Sequence, residues 1–212
     1  MHDPISLAVL VSGSGTTLQN LIDEIAVGRL NARIGIVIGS RPGLRGIQRA
    51  IDAGIPTHIV DRKSFDDPNT FSRQVFAAID AARPQLVCMA GWLCLLDIPP
   101  GYAARVINIH PSLLPSFGGC GMFGKRVHQA VIDHGCKVSG CTVHFVDIEF
   151  DNGPIILQRT CPVLDDDTVE TLAARVFEEE KIAFPEAIRR FAAGKLQIVG
   201  RRVITKENIN EV

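Results

Sequence analysis

Ile5-Ser6-Leu7-Ala8-Val9-Leu10-Val11-Ser12-Gly13-Ser14-Gly15-Thr16-Thr17-Leu18-Gln19-Asn20-Leu21-Ile22 decides the fold. An apolar run ends in a glycine-rich turn, and Leu18, Leu21, Ile22 and Ile25 then recur at helical spacing, which predicts a helix over 16–27. The alternation continues outward from this unit. A strand is expected over 34–38, a helix over 44–53, a strand over 57–60 and a helix over 71–82 that stops before Pro84. Residues 86–90 form a nearly wholly apolar strand, as strands buried on both faces do, and 106–109 form another. Strands alternating with helices predict a parallel sheet with right-handed crossovers.

The second half has a different texture. Residues 111–124 are rich in Gly and Pro and read as an irregular loop, followed by a helix over 125–133. The runs 138–146 and 154–163 are strand-like and are separated by a polar turn, so an antiparallel pair is appended to the parallel sheet. The longest helix is expected over 167–191, with Asp167 and Glu170 as a capping-box-like start, and Val203-Ile204 as a last short strand. The fold class is therefore α/β: a Rossmann-like, mostly parallel sheet with helices on both faces and an antiparallel C-terminal extension. The chain reads as a single domain, 1–212, with a mononucleotide-binding half at about 1–105 and a second half at about 106–212.

Composition narrows the class. The formal net charge of -1 gives no global field favouring nucleic acid or an anionic membrane, so an anionic ligand must be held locally. No apolar run reaches the roughly 18 residues that span a bilayer, and Met1-His2-Asp3-Pro4 lacks the basic start of a secretory signal. Cys88, Cys94, Cys120, Cys136, Cys141 and Cys161 form no C-x-x-C pair and no zinc-type spacing, so a cytoplasmic protein with reduced thiols and no metal is expected.

Three segments carry candidate chemistry. Ser12-Gly13-Ser14-Gly15-Thr16-Thr17 opens a helix after a strand, where free backbone N–H groups and the helix dipole attract anions. A dinucleotide fingerprint would need glycine where Leu18 stands, and no Walker lysine follows, which favours a phosphate monoester over NAD or ATP. Ile107-Asn108-Ile109-His110-Pro111-Ser112-Leu113-Leu114-Pro115 places an amide and an imidazole two residues apart, on one face of a strand end. That pair offers a donor for a developing oxyanion and a group that moves a proton. The blander alternative is a strand end whose His satisfies a backbone carbonyl. Asp147-Ile148-Glu149-Phe150-Asp151-Asn152-Gly153-Pro154 is either a solvated hairpin turn, with Asn152 and Gly153 at positive φ, or the source of a carboxylate that raises the His110 pKa. Spacing does not choose the acid. His144 fits a second site imidazole or a hydrogen-bonded core histidine.

Together with Met89-Ala90-Gly91-Trp92, Thr142-Val143-His144-Phe145-Val146 and Asp151-Asn152-Gly153-Pro154-Ile155-Ile156-Leu157-Gln158, these segments resemble, in order and spacing, the folate-dependent formyltransferases, and among them the phosphoribosylglycinamide formyltransferase family. The match runs over about residues 5–204. The resemblance implies transfer of the formyl group of 10-formyltetrahydrofolate to the amine of glycinamide ribonucleotide, in purine biosynthesis. It implies Asn108, His110 and Asp151 as catalytic residues. Gly15, Thr16, Thr17 and Glu180 would bind the ribonucleotide. Leu93, Cys94, Leu95, Leu96, Asn108, Asp147, Ile148, Glu149, Phe150 and Asp151 would bind the folate, so that 106–212 becomes the catalytic and folate-binding half. It also implies small-molecule partners only, no nucleic acid or membrane, and a monomer or homodimer.

Two places depart from the family pattern. The arginine common after Ser64-Phe65-Asp66 is replaced by Pro68-Asn69, with Arg73 next, and Gly118-Gly119-Cys120-Gly121 resembles a glycine-rich subtype with Cys120 where lysine is common. Three alternatives share features with the chain. A formyltetrahydrofolate deformylase would use the same Asn108, His110 and Asp151, and a methionyl-tRNA formyltransferase would carry a further nucleic-acid-binding domain. A non-catalytic nucleotide-binding module would keep the glycine loop and drop the site residues.

Overall fold

The structure is a computed structural model, and residues 3–206 are described. The chain folds into two compact units. The first runs to Asn108 and takes in Val146–Phe150; the second comprises Ile109–Phe145 and the chain from Asp151 onward. The expected domain over 1–212 extends at both ends outside the described residues.

In the first unit, β1 (Ile5–Val11), α1 (Thr16–Ala26), β2 (Ala32–Gly39), α2 (Arg45–Asp52), β3 (Thr57–Ile59), α3 (Pro68–Ala82), β4 (Leu86–Met89) and β5 (Val106–His110) follow in order. β5 passes into the second unit after Asn108. The strands run β3-β2-β1-β4-β5, each parallel to its neighbours. Every residue of β1 and β4 is buried, which explains their continuous apolar reading. The order reverses between β1 and β4, the point of an open α/β sheet where ligands bind beyond the carboxyl ends of the strands.

α3 starts at Pro68, three residues before its apolar periodicity. Asp67 caps it, accepting from the backbone N–H of Asn69 and Thr70 at 3.1 and 2.9 Å, and Pro68 fills the first position, where its missing N–H costs nothing. Phe71, Val75, Phe76 and Ile79 of this helix join Leu10, Ile38, Met89, Trp92, Leu96 and Tyr102 in the main core. Phe71 is fully buried and stacks on Trp92 at 6.0 Å.

The second unit contains α4 (Lys125–Asp133), β6 (Val138–Phe145), β7 (Ile155–Pro162), α5 (Val169–Ala192), β8 (Leu196–Val199) and β9 (Arg202–Thr205). β6 and β7 are antiparallel, with a bulge between Val143 and His144, and α5 packs on both. β9 contains the expected Val203-Ile204 strand, runs parallel to β7 and pairs antiparallel with β8, a strand the apolar pattern did not mark.

The start of α5 corrects the expected cap. Thr168 is the cap residue and Thr171 its reciprocal partner, not Asp167 with Glu170. Asp167 is instead committed to Arg175, accepting from both Nη atoms at 2.6 and 2.9 Å, and to the Leu164 N–H at 2.7 Å.

Truncating the stacked ring tests the core. Phe71→Ala should cost about 3–5 kcal/mol, read as a lower denaturant midpoint at unchanged slope, whereas Arg73→Ala on the exposed side of α3 should stay within about 0.5 kcal/mol.

Candidate active site

The second unit builds a buried acid–imidazole cluster. β5 ends at His110, which is 3% exposed, and His144 lies at the bulge of β6, where an extra residue re-aims a side chain. Asp151 stands on the turn before β7 in a left-handed conformation, φ 54. The expectation that Asn152 and Gly153 would supply the positive φ is therefore corrected. Aspartate is among the residues that tolerate this region, and the conformation points its carboxylate inward. Asp151 Oδ2 lies 3.3 Å from His110 Nδ1 and accepts from the Gly119 N–H at 2.9 Å, while Oδ1 lies 3.7 Å from His144 Nε2. Burial works against the Asp151 charge, but His144, His110 and the Gly119 N–H outweigh it and hold the carboxyl below its ordinary range.

His110 behaves differently from the expectation that the carboxylate would raise its pKa. Burial is the largest influence and holds the imidazole below its ordinary value, against the opposing pull of Asp151 and of the Phe117 carbonyl. Its two nitrogens nevertheless both face acceptors, Nδ1 the carboxylate and Nε2 the Phe117 carbonyl at 2.8 Å. A neutral ring can satisfy one of them and a protonated ring both. The cluster thus favours a neutral histidine that is hydrogen-bonded for the proton it would accept. The carbonyl-satisfying role and the carboxylate-paired role, which were alternatives in the sequence, occur together in this one residue.

The loop after β5 is fastened from below. The Thr142 hydroxyl donates to the Ser112 carbonyl at 2.7 Å and accepts from the Leu114 N–H at 3.0 Å, and Gln158, its partner across β6 and β7, donates to the Leu114 carbonyl at 3.0 Å. The Leu114–Pro115 peptide is cis. At Gly118 a Cβ would fall 2.5 Å from Leu114 Cδ2 and 3.2 Å from Asp151 Cβ, so glycine lets the loop lie directly on the acid. Thr142 and Gln158 were visible only as members of a motif, since their function is carried by loop backbone atoms. His128, on α4, was not singled out at all. It is 4% exposed, its Nδ1 has no hydrogen-bond partner, and burial and then the neighbouring His110 hold its pKa down. Glu180, midway along α5, is half-buried among protein atoms that push its carboxyl up to about 7 by desolvation.

The first unit presents the other candidate residues. α1 begins at Thr16 with Gly15 as its cap residue in the left-handed region, φ 72, and no side chain caps the helix. Its first N–H groups therefore lack an intrahelical partner, as an anion site requires. A Cβ on Gly15 would fall 2.4 Å from Gly46 Cα, so the turn must be glycine to pack on α2. α2 reaches back: the Gly46 N–H donates to the Gly13 carbonyl at 3.1 Å, and Arg49 donates to the Ser14 carbonyl at 3.0 Å and to Gln19 Oε1 at 2.9 Å. Thr17 is buried and Thr16 exposed. Beyond β4, Leu93 and Leu95 are exposed and Cys94 is half-buried, but Leu96 is 1% exposed and belongs to the core. Asn108 is half-buried near the end of β5. Ile148, Glu149 and Phe150 are exposed, and Asp147 accepts from the Glu149 N–H at 3.0 Å. Arg73 donates to Thr70 at 2.7 Å on the exposed side of α3. All six cysteines are free, and among the described residues no group of three or more His, Cys, Asp or Glu side chains is placed to hold a metal ion. No helix among them is long and apolar enough to cross a membrane.

Comparison with known proteins agrees with this architecture. Residues 5–188 match the formyl transferase family model, and the chain belongs to that family. It is 34% identical over 196 residues to the phosphoribosylglycinamide formyltransferase of Escherichia coli K12, covering 92% of this chain and 90% of that protein. It is 40% identical over 196 residues to the chicken trifunctional purine biosynthetic protein adenosine-3, of which it spans only 19% while 92% of this chain is covered. Among solved structures, glycinamide ribonucleotide transformylase 1 of Symbiobacterium toebii superposes with a TM-score of 0.89 at 41% identity, covering 98% of this chain and 96% of that one. A formyltetrahydrofolate deformylase from Pseudomonas syringae shares the fold with a TM-score of 0.82 at 25% identity, covering 96% of this chain and 66% of that one.

The lowered histidines make stability depend on pH. Between their folded values and the ordinary 6.5, the unfolded chain binds protons that folded His110 and His128 do not, so the contribution of these two histidines should fall as pH drops below about 6.5, opposed by Glu180, whose raised carboxyl takes up a proton in the folded chain below about 7. Denaturant titrations at several pH values check this: relative to wild type, the double variant His110→Leu, His128→Leu should gain stability as pH falls through the same window.

Proposed function

We propose that this protein transfers the formyl group of 10-formyltetrahydrofolate to the primary amine of glycinamide ribonucleotide, as a single formyltransferase domain. The observation that carries the reading is the His110–Asp151 pair at 3.3 Å, an ionised carboxylate beside a neutral imidazole. The amine nitrogen attacks the formyl carbon, a C–N bond forms, and the carbonyl electrons move to oxygen. Asn108 donates to that oxyanion, and negative charge developing there is what a fixed donor stabilises. His110 takes up, at Nε2, the proton lost by the attacking nitrogen, the substrate taking the place of the Phe117 carbonyl there, while Nδ1 keeps Asp151. The imidazolium is then paired with Asp151, the same division of labour as in other acid-supported histidines. Collapse of the intermediate breaks the bond to N10 of the folate, and N10 leaves with the proton returned to it. The products are formylglycinamide ribonucleotide and tetrahydrofolate, and no redox change or metal is needed.

Binding roles follow the two surfaces. The ribonucleotide phosphate sits on Gly15, Thr16 and Thr17 at the uncapped start of α1, and Glu180 contacts the same substrate. The folate is assigned to Leu93, Cys94, Leu95, Leu96, Asn108 and Asp147–Asp151, with Leu96 contributing backbone only. The enzyme is assigned to the cytoplasm, with small-molecule partners, as a monomer or homodimer.

Mixing 10-formyltetrahydrofolate with and without glycinamide ribonucleotide tests the proposal. Formyl loss should require the acceptor and yield formylated product. Release of formate at the same rate in water alone would instead identify a deformylase, the activity named for one structural neighbour. His110→Ala should lower kcat by about 10²–10⁴-fold with small changes in KM. The wild-type rate should fall on the acid side along a limb whose midpoint lies below 6.5, because His110 must be neutral to accept the proton.

A further inference from the structure

We infer that Ser12 is a positioning residue that couples the nucleotide loop to the segment assigned to the folate, an inference that rests on the proposed assignment of those two surfaces. Ser12 follows β1 directly, two positions before the loop reaches Ser14-Gly15. Its backbone N–H donates to the Gly91 carbonyl at 3.0 Å, and its hydroxyl oxygen accepts from the Leu93 N–H at 3.1 Å. One residue therefore grips the turn after β4 by two bonds, at Gly91 and at Leu93. Gly91, at φ 78, makes the turn that sends the chain back toward that hydroxyl.

A second serine completes the tie. The Ser40 hydroxyl, at the end of β2, donates to Ser12 Oγ at 2.8 Å, and its N–H donates to the Val11 carbonyl at 3.1 Å. Ser12 and Ser40 are 7% and 5% exposed, so water does not readily replace either hydroxyl. The turn at 91–93 is thus fastened at two points to Ser12, whose hydroxyl is held in turn by Ser40 after β2, at the place where the strand order reverses.

The location gives these bonds a consequence beyond stability. Leu93 and Leu95 are 44% and 41% exposed, so little side-chain packing fixes the outward part of the 93–95 segment, and its backbone bonds carry more of that burden. The glycine turn on the other side of Ser12 is held by Gly46 and Arg49 through carbonyl oxygens, which leaves its N–H groups for an anion. An anion that orders this turn also orders the Ser12 hydroxyl, and with it the Leu93 N–H. Occupancy of one loop lowers the cost of ordering the other, and linkage makes the effect reciprocal. No contact between the two ligands is required.

Amide hydrogen exchange of the full chain, with and without glycinamide ribonucleotide, reads this coupling, with the transferase assay of the wild type run alongside. In wild type the ribonucleotide should slow exchange across 91–96. In Ser12→Ala it should still slow exchange at 15–17 and no longer at 91–96. In the same variant KM for 10-formyltetrahydrofolate should rise about tenfold, the scale of one lost buried hydrogen bond, with kcat within about threefold. Ser40→Ala should give a smaller change of the same kind, and Ser139→Ala, whose buried hydroxyl has no hydrogen-bond partner, should change neither readout. Unchanged ribonucleotide-dependent slowing at 91–96 in Ser12→Ala, or no slowing there in wild type, would overturn the inference. Absent formyl transfer by the wild type would instead overturn the proposed function, while the exchange data still decide whether the two loops are linked.

Discussion

An ionised carboxylate buried on a turn is the constraint around which the second unit is arranged. Asp151 has lost most of its water, and a bare carboxylate in that position would protonate or drag the turn to the surface. It stays charged because an amide of the glycine-rich loop and two imidazoles are brought to its oxygens. Each of these partners needs its own support. The Gly119 N–H can reach the acid only because position 118 has no side chain, and the β6 bulge sits immediately before His144. Thr142 and Gln158 hold the loop backbone from which Phe117 faces His110. The apolar strands supply a frame, but the charge decides which polar groups must be attached to it.

The same constraint explains which parts of the molecule were legible in the sequence. Periodicity reports burial, so β1, β4 and the helices were readable to within a few residues, and an apolar β1 could hardly be anything but a central strand. Ends set by polar capping were less readable. The α3 cap at Asp67 precedes the first apolar residue of the pattern, and Asp167 looked like a cap while its charge was committed to Arg175. β8 escaped notice because three of its four residues are exposed and its pattern lacks the alternation of a half-buried strand. In the site, Asn108, His110 and Asp151 were marked by their motifs. Spacing could not say which acid would meet His110, because that choice depends on one residue taking φ 54. Nor could it give the direction of the His110 pKa, which is a contest between burial and a carboxylate that only three-dimensional placement resolves.

That contest bears directly on the chemistry. A histidine raised well above neutrality would already carry its proton and could not accept one from an attacking amine. One lowered by burial alone, with no carboxylate, would be a poor base and would make an unstable imidazolium. Here desolvation keeps the ring neutral, while Asp151 and the Phe117 carbonyl provide hydrogen-bond acceptors for the charged form. Catalytic pKa values are useful when they lie near the working pH, and opposing influences of this kind are how a fold reaches them without a single extreme term.

The glycines of the loop after β5 have distinct tasks. Gly118 is required for close approach to Asp151, and Gly119 supplies a backbone donor from a conformation, φ 96, that side chains avoid. Cys120 follows as an exposed residue. Position 120 therefore falls just past the two residues that meet the acid, and the backbone geometry that keeps Asp151 ionised does not depend on which side chain stands there. A lysine at that position would add a mobile surface charge, screened by solvent, whereas a side chain at position 118 would collide with Leu114 and displace the loop from the carboxylate. The two positions are close in sequence, yet only 118 is tied by packing to the charge at the centre of the site.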